Sequence, residues 1–136
     1  GTIAQFISKN AKKVIGIDSV PEAIEAASES AKNNKINNCK FFAGDMKNIF
    51  SDDFISKNGM PDIIITDPPR DGMHKKVVEQ LLKIKSKRII YISCNPATQA
   101  RDISLLKELY DVSAMQTVDM FPHTHHVENI LVLDLR

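Results

Sequence analysis

The sequence has 136 residues, of which 43% are hydrophobic and 26% are charged. This length predicts one domain over residues 1–136, and the composition excludes an intrinsically disordered or low-complexity protein. The 18 Lys and Arg residues against 17 Asp and Glu residues leave a formal net charge of +1, so the overall charge does not by itself predict a nucleic-acid partner.

The chain opens with a glycine turn that runs into a helix over residues 1–7, with no strand before it. The apolar run 14–17 predicts a strand that ends at Asp18. Pro21 then begins a helical pattern that ends near residues 33–34. Since the sequence begins with the turn, the first strand of the fold is expected to be missing.

The same alternation of strand and helix recurs three times. Two of the later strands are continuously apolar, which is typical of parallel strands that helices cover on both faces. The last two strands have no helix between them and predict an antiparallel hairpin. The predicted strands cover residues 40–43, 62–66, 88–92, 111–118 and 127–135, and the two long helices cover 74–84 and 96–109. The sequence therefore predicts a doubly wound α/β domain.

The two cysteines, Cys39 and Cys94, are far apart in the sequence. They form neither a disulfide framework nor a CxxC metal motif, which favours a reducing compartment. No run approaches the ~18 apolar residues of a membrane helix, and no signal segment opens the chain. We therefore expect a soluble, cytoplasmic protein.

Ligands of an open parallel sheet bind at the carboxyl ends of its strands, and polar residues follow the predicted strands here. Asp18 is placed to accept hydrogen bonds from the ribose hydroxyls of a nucleotide-like cofactor, or to cap the helix at Pro21. Asp45 is placed to accept from an adenine amine, or to cap the helix after Met46.

Asp67 opens the loop Asp67-Pro68-Pro69-Arg70-Asp71-Gly72 after an apolar strand. Two consecutive prolines remove two backbone donors and fix φ, so the loop predicts a stiff wall. Such a wall suits a flat base or a methyl donor, with the Asp67 carboxylate as an acceptor. A plain turn is the alternative interpretation.

Cys94 follows the next strand and precedes a helix, whose N-terminus favours the thiolate form. It is either a nucleophile or a buried structural cysteine, whereas Cys39 is expected to be structural or simply exposed. Glu128 begins the last strand and is placed to act as a base. His123, His125 and His126 with Glu128 form only a weak zinc pattern, so we expect no metal.

These motifs, in this order, resemble the RNA (uracil-C5)-methyltransferases that act on transfer and ribosomal RNA. The resemblance covers nearly the whole chain, as the C-terminal part of a methyltransferase domain. The segments that carry it are Gly16-Ile17-Asp18, Gly44-Asp45, residues 67–74 (DPPRDGMH), residues 93–98 (SCNPAT) with 100–102 (ARD), and residues 120–124 (MFPHT) with 126–128 (HVE).

The resemblance implies a Rossmann-like, class I S-adenosylmethionine-dependent methyltransferase fold, a parallel sheet with a C-terminal antiparallel hairpin. It implies that Cys94 is the nucleophile that adds to C6 of uracil and that Glu128 is the general base. Asp67 would belong to the active site and also, with Thr2, Asp18 and Asp45, to the S-adenosylmethionine site. The implied substrate is a uridine in a loop or unpaired region of 23S ribosomal RNA or transfer RNA, with no membrane involved.

The family's upstream RNA-binding and central regions are not in the sequence, nor is the cysteine cluster of members that hold an iron–sulfur centre. We therefore expect an inactive fragment of a longer enzyme with poor RNA affinity. One alternative is an amino-methyltransferase for adenine or cytosine, although its Pro-Pro motif usually ends in an aromatic residue where Arg70 stands here. The other is a non-catalytic module that binds RNA or protein.

Overall fold

The computed structural model describes residues 1–120, 122–124 and 127–136. The chain divides into two compact units, which are residues 1–50 (unit 1) and residues 51–136 (unit 2). The expectation of a single domain over residues 1–136 stays a prediction. None of the helices in the described residues has the length and apolarity of a membrane-spanning segment.

Unit 1 has two parallel strands and three helices. Its elements are α1 (Thr2–Ile7), a 3₁₀ turn (Ser8–Asn10), β1 (Val14–Asp18), α2 (Pro21–Asn33), β2 (Cys39–Ala43) and α3 (Met46–Ile49). Pro21 occupies the start of α2, where its missing N–H has no helical partner to lose. In the parallel register Asp18 lies opposite Ala43, so both strands end at the same edge.

Unit 2 has a four-stranded mixed sheet and three helices. Its elements are α4 (Asp52–Asn58), β3 (Ile63–Thr66), α5 (Lys75–Ile84), β4 (Arg88–Ser93), α6 (Pro96–Leu106), β5 (Tyr110–Val118) and β6 (Glu128–Leu135). The strand order is β3-β4-β6-β5, in which β3 and β4 are parallel and β6 is antiparallel to both of its neighbours. The last strand of the chain therefore lies inside the sheet.

The core of unit 2 follows from the alternation of side chains along β4 and β6. Ile89 and Tyr91 are fully buried on β4, and Leu133 is fully buried on β6 opposite Ile89. Helix α5 contributes apolar residues at helical spacing, namely Val77, Val78, Leu81 and Ile84. Burying side chains of this kind stabilises a fold by roughly 1.5–3 kcal/mol each. The buried face continues to Ser93 and Asn129, at the end of β4 and the beginning of β6, next to Cys94 and Glu128.

The structure confirms the α/β fold and the antiparallel hairpin, and it corrects three details. The apolar strand β4 has a parallel neighbour on one side only, because β6 inserts next to it in the opposite direction. Ile63 is 52% exposed because it begins β3, an edge strand of unit 2. Helix α6 ends at Leu106 rather than Leu109, whose carbonyl instead accepts from the N–H of Arg136 (2.9 Å).

Candidate active site

Cys94, Glu128 and Asp67 lie at one edge of the four-stranded sheet. Ser93 pairs with Asn129 in the antiparallel ladder between β4 and β6. Cys94 follows Ser93 and Glu128 precedes Asn129, so the next position along each strand brings these two residues to the same end of the pair. Asp67 follows β3, which is parallel to β4 and ends at the same edge. The structure thus brings together the three residues that the sequence predicted as catalytic.

Cys94 is in the short connection between β4 and α6, and its position is fixed from both sides. The Ser93 hydroxyl accepts from the N–H of Asn95 (3.0 Å) and donates to the carbonyl of Asn95 (3.1 Å). The Asn95 side chain caps α6 by accepting from the N–H of Ala97 (3.1 Å), and Pro96 is the first helical residue. Cys94 itself is half-buried, as is Glu128, so both side chains remain accessible to a ligand.

The carboxyl group of Asp67 is electrostatically unusual. The residue is exposed by its accessible surface, yet the protein atoms around its carboxyl raise the pKa of Asp67 above the ordinary aspartate value through desolvation. Shifted pKa values occur both at functional sites and in purely structural surroundings. The role of Asp67 as a site residue, rather than part of a plain turn, therefore stays a prediction.

The loop after Asp67 is held by three side chains of the segment that contains Cys94. The Asn95 amide and the Thr98 hydroxyl both donate to the carbonyl of Arg70 (3.0 Å each). The Arg101 guanidinium donates to the carbonyl of Asp71 (2.8 Å). The two motifs that the sequence analysis singled out are therefore structural partners, and the first two turns of α6 set the position of the Pro-Pro loop.

Asp102 anchors the end of that loop. Its side chain is 1% exposed and accepts from the N–H of Met73 (2.7 Å), the hydroxyl of Tyr91 (2.7 Å) and two guanidinium nitrogens of Arg101 (3.0 and 2.7 Å). Burial, and next the bond to Asp102, raise the pKa of Tyr91 well above its usual value. Arg101 thus holds the Asp102 carboxylate in place.

Gly72 lies between these anchors and leaves no room for a side chain. It adopts φ +79°, and a Cβ there would lie 2.6 Å from Nη2 of Arg101 and 2.7 Å from Oδ2 of Asp102. Both the left-handed backbone and the close approach require glycine. Gly72 therefore lets the loop pass close to Arg101 and Asp102, the two side chains that anchor it.

The predicted cofactor residues of unit 1 are all exposed, and two of them also have structural roles. A carboxylate oxygen of Asp18 accepts from the N–H of Val20 (2.9 Å) in the turn that leads into α2. Asp45 caps α3 by accepting from the N–H of Lys47 (3.0 Å) and forms an ion pair with its ammonium group (2.8 Å). Thr2 is the first residue of α1. Their contacts with a cofactor stay predictions.

Cys39 and the histidines complete the set of residues that the sequence singled out. The half-buried Cys39 thiol donates to the carbonyl of Ala4 (3.6 Å), and burial raises its pKa, as suits a structural cysteine. His125 and His126 lie outside the described residues, and within those residues no three His, Cys, Asp or Glu side chains are grouped to hold a metal ion.

The residues that support the site were not among the candidates predicted from the sequence. Asn95 before Pro96 is a recognisable start of a helix. Asp102 has no comparable signal, because its partners Met73 and Tyr91 are 29 and 11 residues away in the sequence. Only the fold brings these groups together.

The fold of the chain is that of the class I methyltransferases. It superposes on a solved N-methyltransferase, NodS of Bradyrhizobium japonicum in complex with S-adenosyl-L-homocysteine, with a TM-score of 0.76. That match covers 99% of this chain and 72% of the other, at 14% identity, and so concerns the fold alone. The family described as tRNA (uracil-5-)-methyltransferase matches residues 1–136. The chain belongs to this family.

Two relatives are especially similar. A protein described as an uncharacterized RNA methyltransferase of Bacteroides thetaiotaomicron is 60% identical over 136 residues, which is 100% of this chain and 30% of that protein. The solved tRNA (uracil-54, C5)-methyltransferase of Pyrococcus abyssi, in complex with S-adenosyl-L-homocysteine, is 35% identical with a TM-score of 0.84. That match covers 98% of this chain and 31% of the other. The chain thus spans less than a third of the length of either relative.

Replacing Asp102 by asparagine tests whether this carboxylate anchors the site. An amide has only one acceptor oxygen, so its NH2 group would face donors of Met73, Tyr91 or Arg101. We expect Asp102→Asn to lower the free energy of unfolding by about 3 kcal/mol, measured by urea denaturation. The matched control is Asp111→Asn, which removes an exposed aspartate bonded to Arg136 (2.7 Å) and should leave the midpoint nearly unchanged. Equal effects of the two substitutions would contradict the anchoring role.

The raised pKa of Asp67 predicts a pH-dependent change in stability. The pKa of Asp67 is higher in the folded state than in the unfolded chain. The stability that Asp67 contributes therefore falls as the pH rises from the unfolded-state pKa through the folded-state pKa. Asp67→Asn should therefore raise the melting temperature at pH 7, and the gain should shrink as the pH approaches 4. Asp62→Asn, at the opposite end of β3 and paired with Lys87, serves as the control and should show no gain. A loss of stability in Asp67→Asn at pH 7 would contradict the desolvation.

Proposed function

We propose that the full-length gene product methylates C5 of a uridine in RNA, with S-adenosylmethionine as the methyl donor. One observation carries this proposal. The Ser93–Asn129 pair places a cysteine and a glutamate at the same end of two neighbouring strands, in a chain of the tRNA (uracil-5-)-methyltransferase family. A thiol nucleophile and a carboxylate base side by side are the two groups that this reaction needs.

The first role is that of Cys94. C5 of uracil is a poor nucleophile until a group adds at C6. The Cys94 thiolate forms the C6–S bond, and the electron pair of the C5–C6 double bond moves into an enolate that ends at O4. The enolate makes C5 nucleophilic, so C5 would form a bond to the methyl group of S-adenosylmethionine. The S–CH3 bond would break with its electron pair on sulfur, and S-adenosylhomocysteine would leave. A half-buried thiol at a strand end suits this step, because it is accessible and the hydrogen bonds of Ser93 and Asn95 hold the backbone on either side of it.

The second role is that of Glu128. After methylation C5 carries both a methyl group and a proton, and the adduct is stable until that proton leaves. Glu128 takes the C5 proton, the C5–C6 double bond forms again, and the C6–S bond breaks with its electron pair returning to Cys94. Its position beside Cys94 supports this assignment, since one carboxylate can reach the carbon next to the one that the thiol holds.

Asp67 and the rigid loop after it would hold the uracil ring. A base that reacts in a cleft must leave its stacked position in the RNA, so the site has to replace the contacts that the base loses. The Asp67 carboxylate would accept from the N3–H of uracil, and the anchored Pro68-Pro69 segment would offer a stiff surface for the ring. The raised pKa of Asp67 does not prevent this, since either protonation state retains an acceptor oxygen.

The residues of unit 1 fit the methyl donor chemically. Asp18 and Asp45 are exposed carboxylates after two adjacent parallel strands, and carboxylates accept from ribose hydroxyls and from an adenine amine. Gly44 between the strand and Asp45 has φ +150°, and a Cβ there would lie 2.3 Å from Cδ1 of Ile49. Glycine is therefore needed to set Asp45 at its position. Asp18 would hold the ribose, Asp45 the adenine, and Thr2 a further part of the cofactor.

The RNA substrate is proposed as a class. The Pyrococcus abyssi relative is a tRNA (uracil-54, C5)-methyltransferase, which supports a uridine in transfer RNA. A uridine in 23S ribosomal RNA is the second candidate, because the Bacteroides relative is described as an RNA methyltransferase with no particular RNA named. In both cases the reacting base is expected in a loop or unpaired region.

The two cysteines of the chain provide a matched test. Cys94→Ser should lower methyl transfer by at least about 1,000-fold, since it removes the nucleophile. Cys39→Ser should stay within about twofold of the parent, since substitutions away from the site and the core usually have small effects. The assay measures transfer of a labelled methyl group from S-adenosylmethionine to transfer and ribosomal RNA from a strain that lacks the gene. Full activity in Cys94→Ser would refute the nucleophile.

A further inference from the structure

Two buried amide side chains lie on the elements that carry the proposed catalytic residues Cys94 and Glu128. Gln99 on α6 is 1% exposed, and Asn129 on β6 is 7% exposed. Glutamine and asparagine are mostly exposed in proteins, and each is costly to bury unless its amide is fully hydrogen-bonded. A buried pair in contact therefore calls for an explanation beyond filling space.

The hydrogen bonds of this pair permit only one arrangement. Nε2 of Gln99 donates to the carbonyls of Tyr91 (2.9 Å) and Asn129 (3.2 Å). Carbonyl oxygens only accept, so Oε1 of Gln99 has to point the other way, and there it accepts from Nδ2 of Asn129 (2.7 Å). Oδ1 of Asn129 then accepts from the hydroxyl of Thr117 (2.9 Å). Every polar atom of the two amides is used, and neither amide can be reversed without opposing like groups.

This network joins the two strands that carry the catalytic pair. Tyr91 is three residues before Cys94 on β4, and Asn129 follows Glu128 on β6. Gln99 belongs to the first turn of α6, the helix that begins two residues after Cys94, and its N–H donates to the carbonyl of Asn95 (3.1 Å). The Gln99 side chain is therefore hydrogen-bonded to the backbone of both β4 and β6, near the end where Cys94 and Glu128 lie.

We propose that Gln99 and Asn129 are positioning residues that hold Glu128 where it removes the C5 proton from the adduct on Cys94. This inference rests on the proposed function. Addition of Cys94 to C6 depends chiefly on the thiol and the uracil ring. Removal of the proton instead needs Glu128 at a defined place relative to C5 of a uracil that is already bonded to the protein. A displacement of about 1 Å in such a group costs on the order of 100-fold in rate.

The proposal predicts which step slows when the amides are lost. With Glu128 displaced, the C6–S bond still forms and the methyl group still arrives at C5. The C5 proton then stays in place, so the double bond cannot form again and the sulfur cannot leave. The protein should accumulate as a methylated covalent adduct with ordinary uridine RNA, as it should in Glu128→Gln, which serves as the reference variant.

The experiment compares two leucine variants of the full-length gene product with the parent. Gln99→Leu leaves the Asn129 amide unsatisfied, so it disturbs folding as well as position. Gln99→Leu/Asn129→Leu removes both side-chain amides together and should recover most of the lost stability. We expect both variants to turn over about 100-fold more slowly, with an adduct fraction at least about 10-fold above that of the parent on a denaturing gel.

A matched control separates positioning from general destabilisation. Tyr110→Phe removes one buried hydrogen bond, from the Tyr110 hydroxyl to the carbonyl of Ser86 (2.9 Å), at the opposite end of the sheet. It should lower the melting temperature without raising the adduct fraction. An adduct in Tyr110→Phe equal to that in Gln99→Leu would overturn the proposal, because it would show that any loss of stability suffices.

The double variant decides the case even if Gln99→Leu does not fold. If Gln99→Leu/Asn129→Leu turns over like the parent without accumulated adduct, the amides only fill the core and the positioning role is wrong. RNA that contains 5-fluorouridine in place of uridine tests the underlying function separately, since fluorine at C5 cannot leave as a proton does. Failure of the parent to form an adduct with that RNA overturns the proposed function and this inference with it.

Discussion

The buried carboxylate of Asp102 is the contact on which the candidate site depends. An isolated carboxylate in the interior is strongly unfavourable, and here four charge-assisted or buried hydrogen bonds offset its desolvation. Its donors come from three places: the end of the Pro-Pro loop, strand β4 and helix α6. Because the carboxylate has to satisfy all of them at once, the loop, the strand and the helix have one relative arrangement.

The direction of β6 explains how a base reaches the nucleophile. In an antiparallel pair the beginning of one strand meets the end of the other. Glu128 begins β6 and Cys94 follows β4, so the reversed strand brings together two residues that are 34 positions apart in the sequence. A parallel β6 would place Glu128 at the opposite edge. The one antiparallel insertion into an otherwise parallel arrangement is therefore a requirement of the proposed chemistry.

Much of this organisation could be predicted from the sequence, and the rest could not for identifiable reasons. The strands and helices were predictable because apolar runs and proline positions are local signals. The grouping of Asp67 and Cys94 followed from the general rule for parallel strand ends. The assignment of Glu128 to the same site rested on the resemblance of the sequence motifs to a known family. The contacts of Asp102, and the pair formed by Gln99 and Asn129, were not predictable, because their partners lie up to 30 residues away and no local pattern marks them.

The most direct measurement of the central claim is the covalent trap on Cys94. The full-length gene product is mixed with S-adenosylmethionine and 5-fluorouridine RNA, digested with trypsin and ribonuclease, and analysed by mass spectrometry. Cys94 is the single cysteine of the tryptic peptide 89–101, whereas Cys39 belongs to the separate peptide 36–40. If Cys94 is the nucleophile, peptide 89–101 carries a methylated fluorouridine nucleotide. An adduct on peptide 36–40, or none on either peptide, would contradict it.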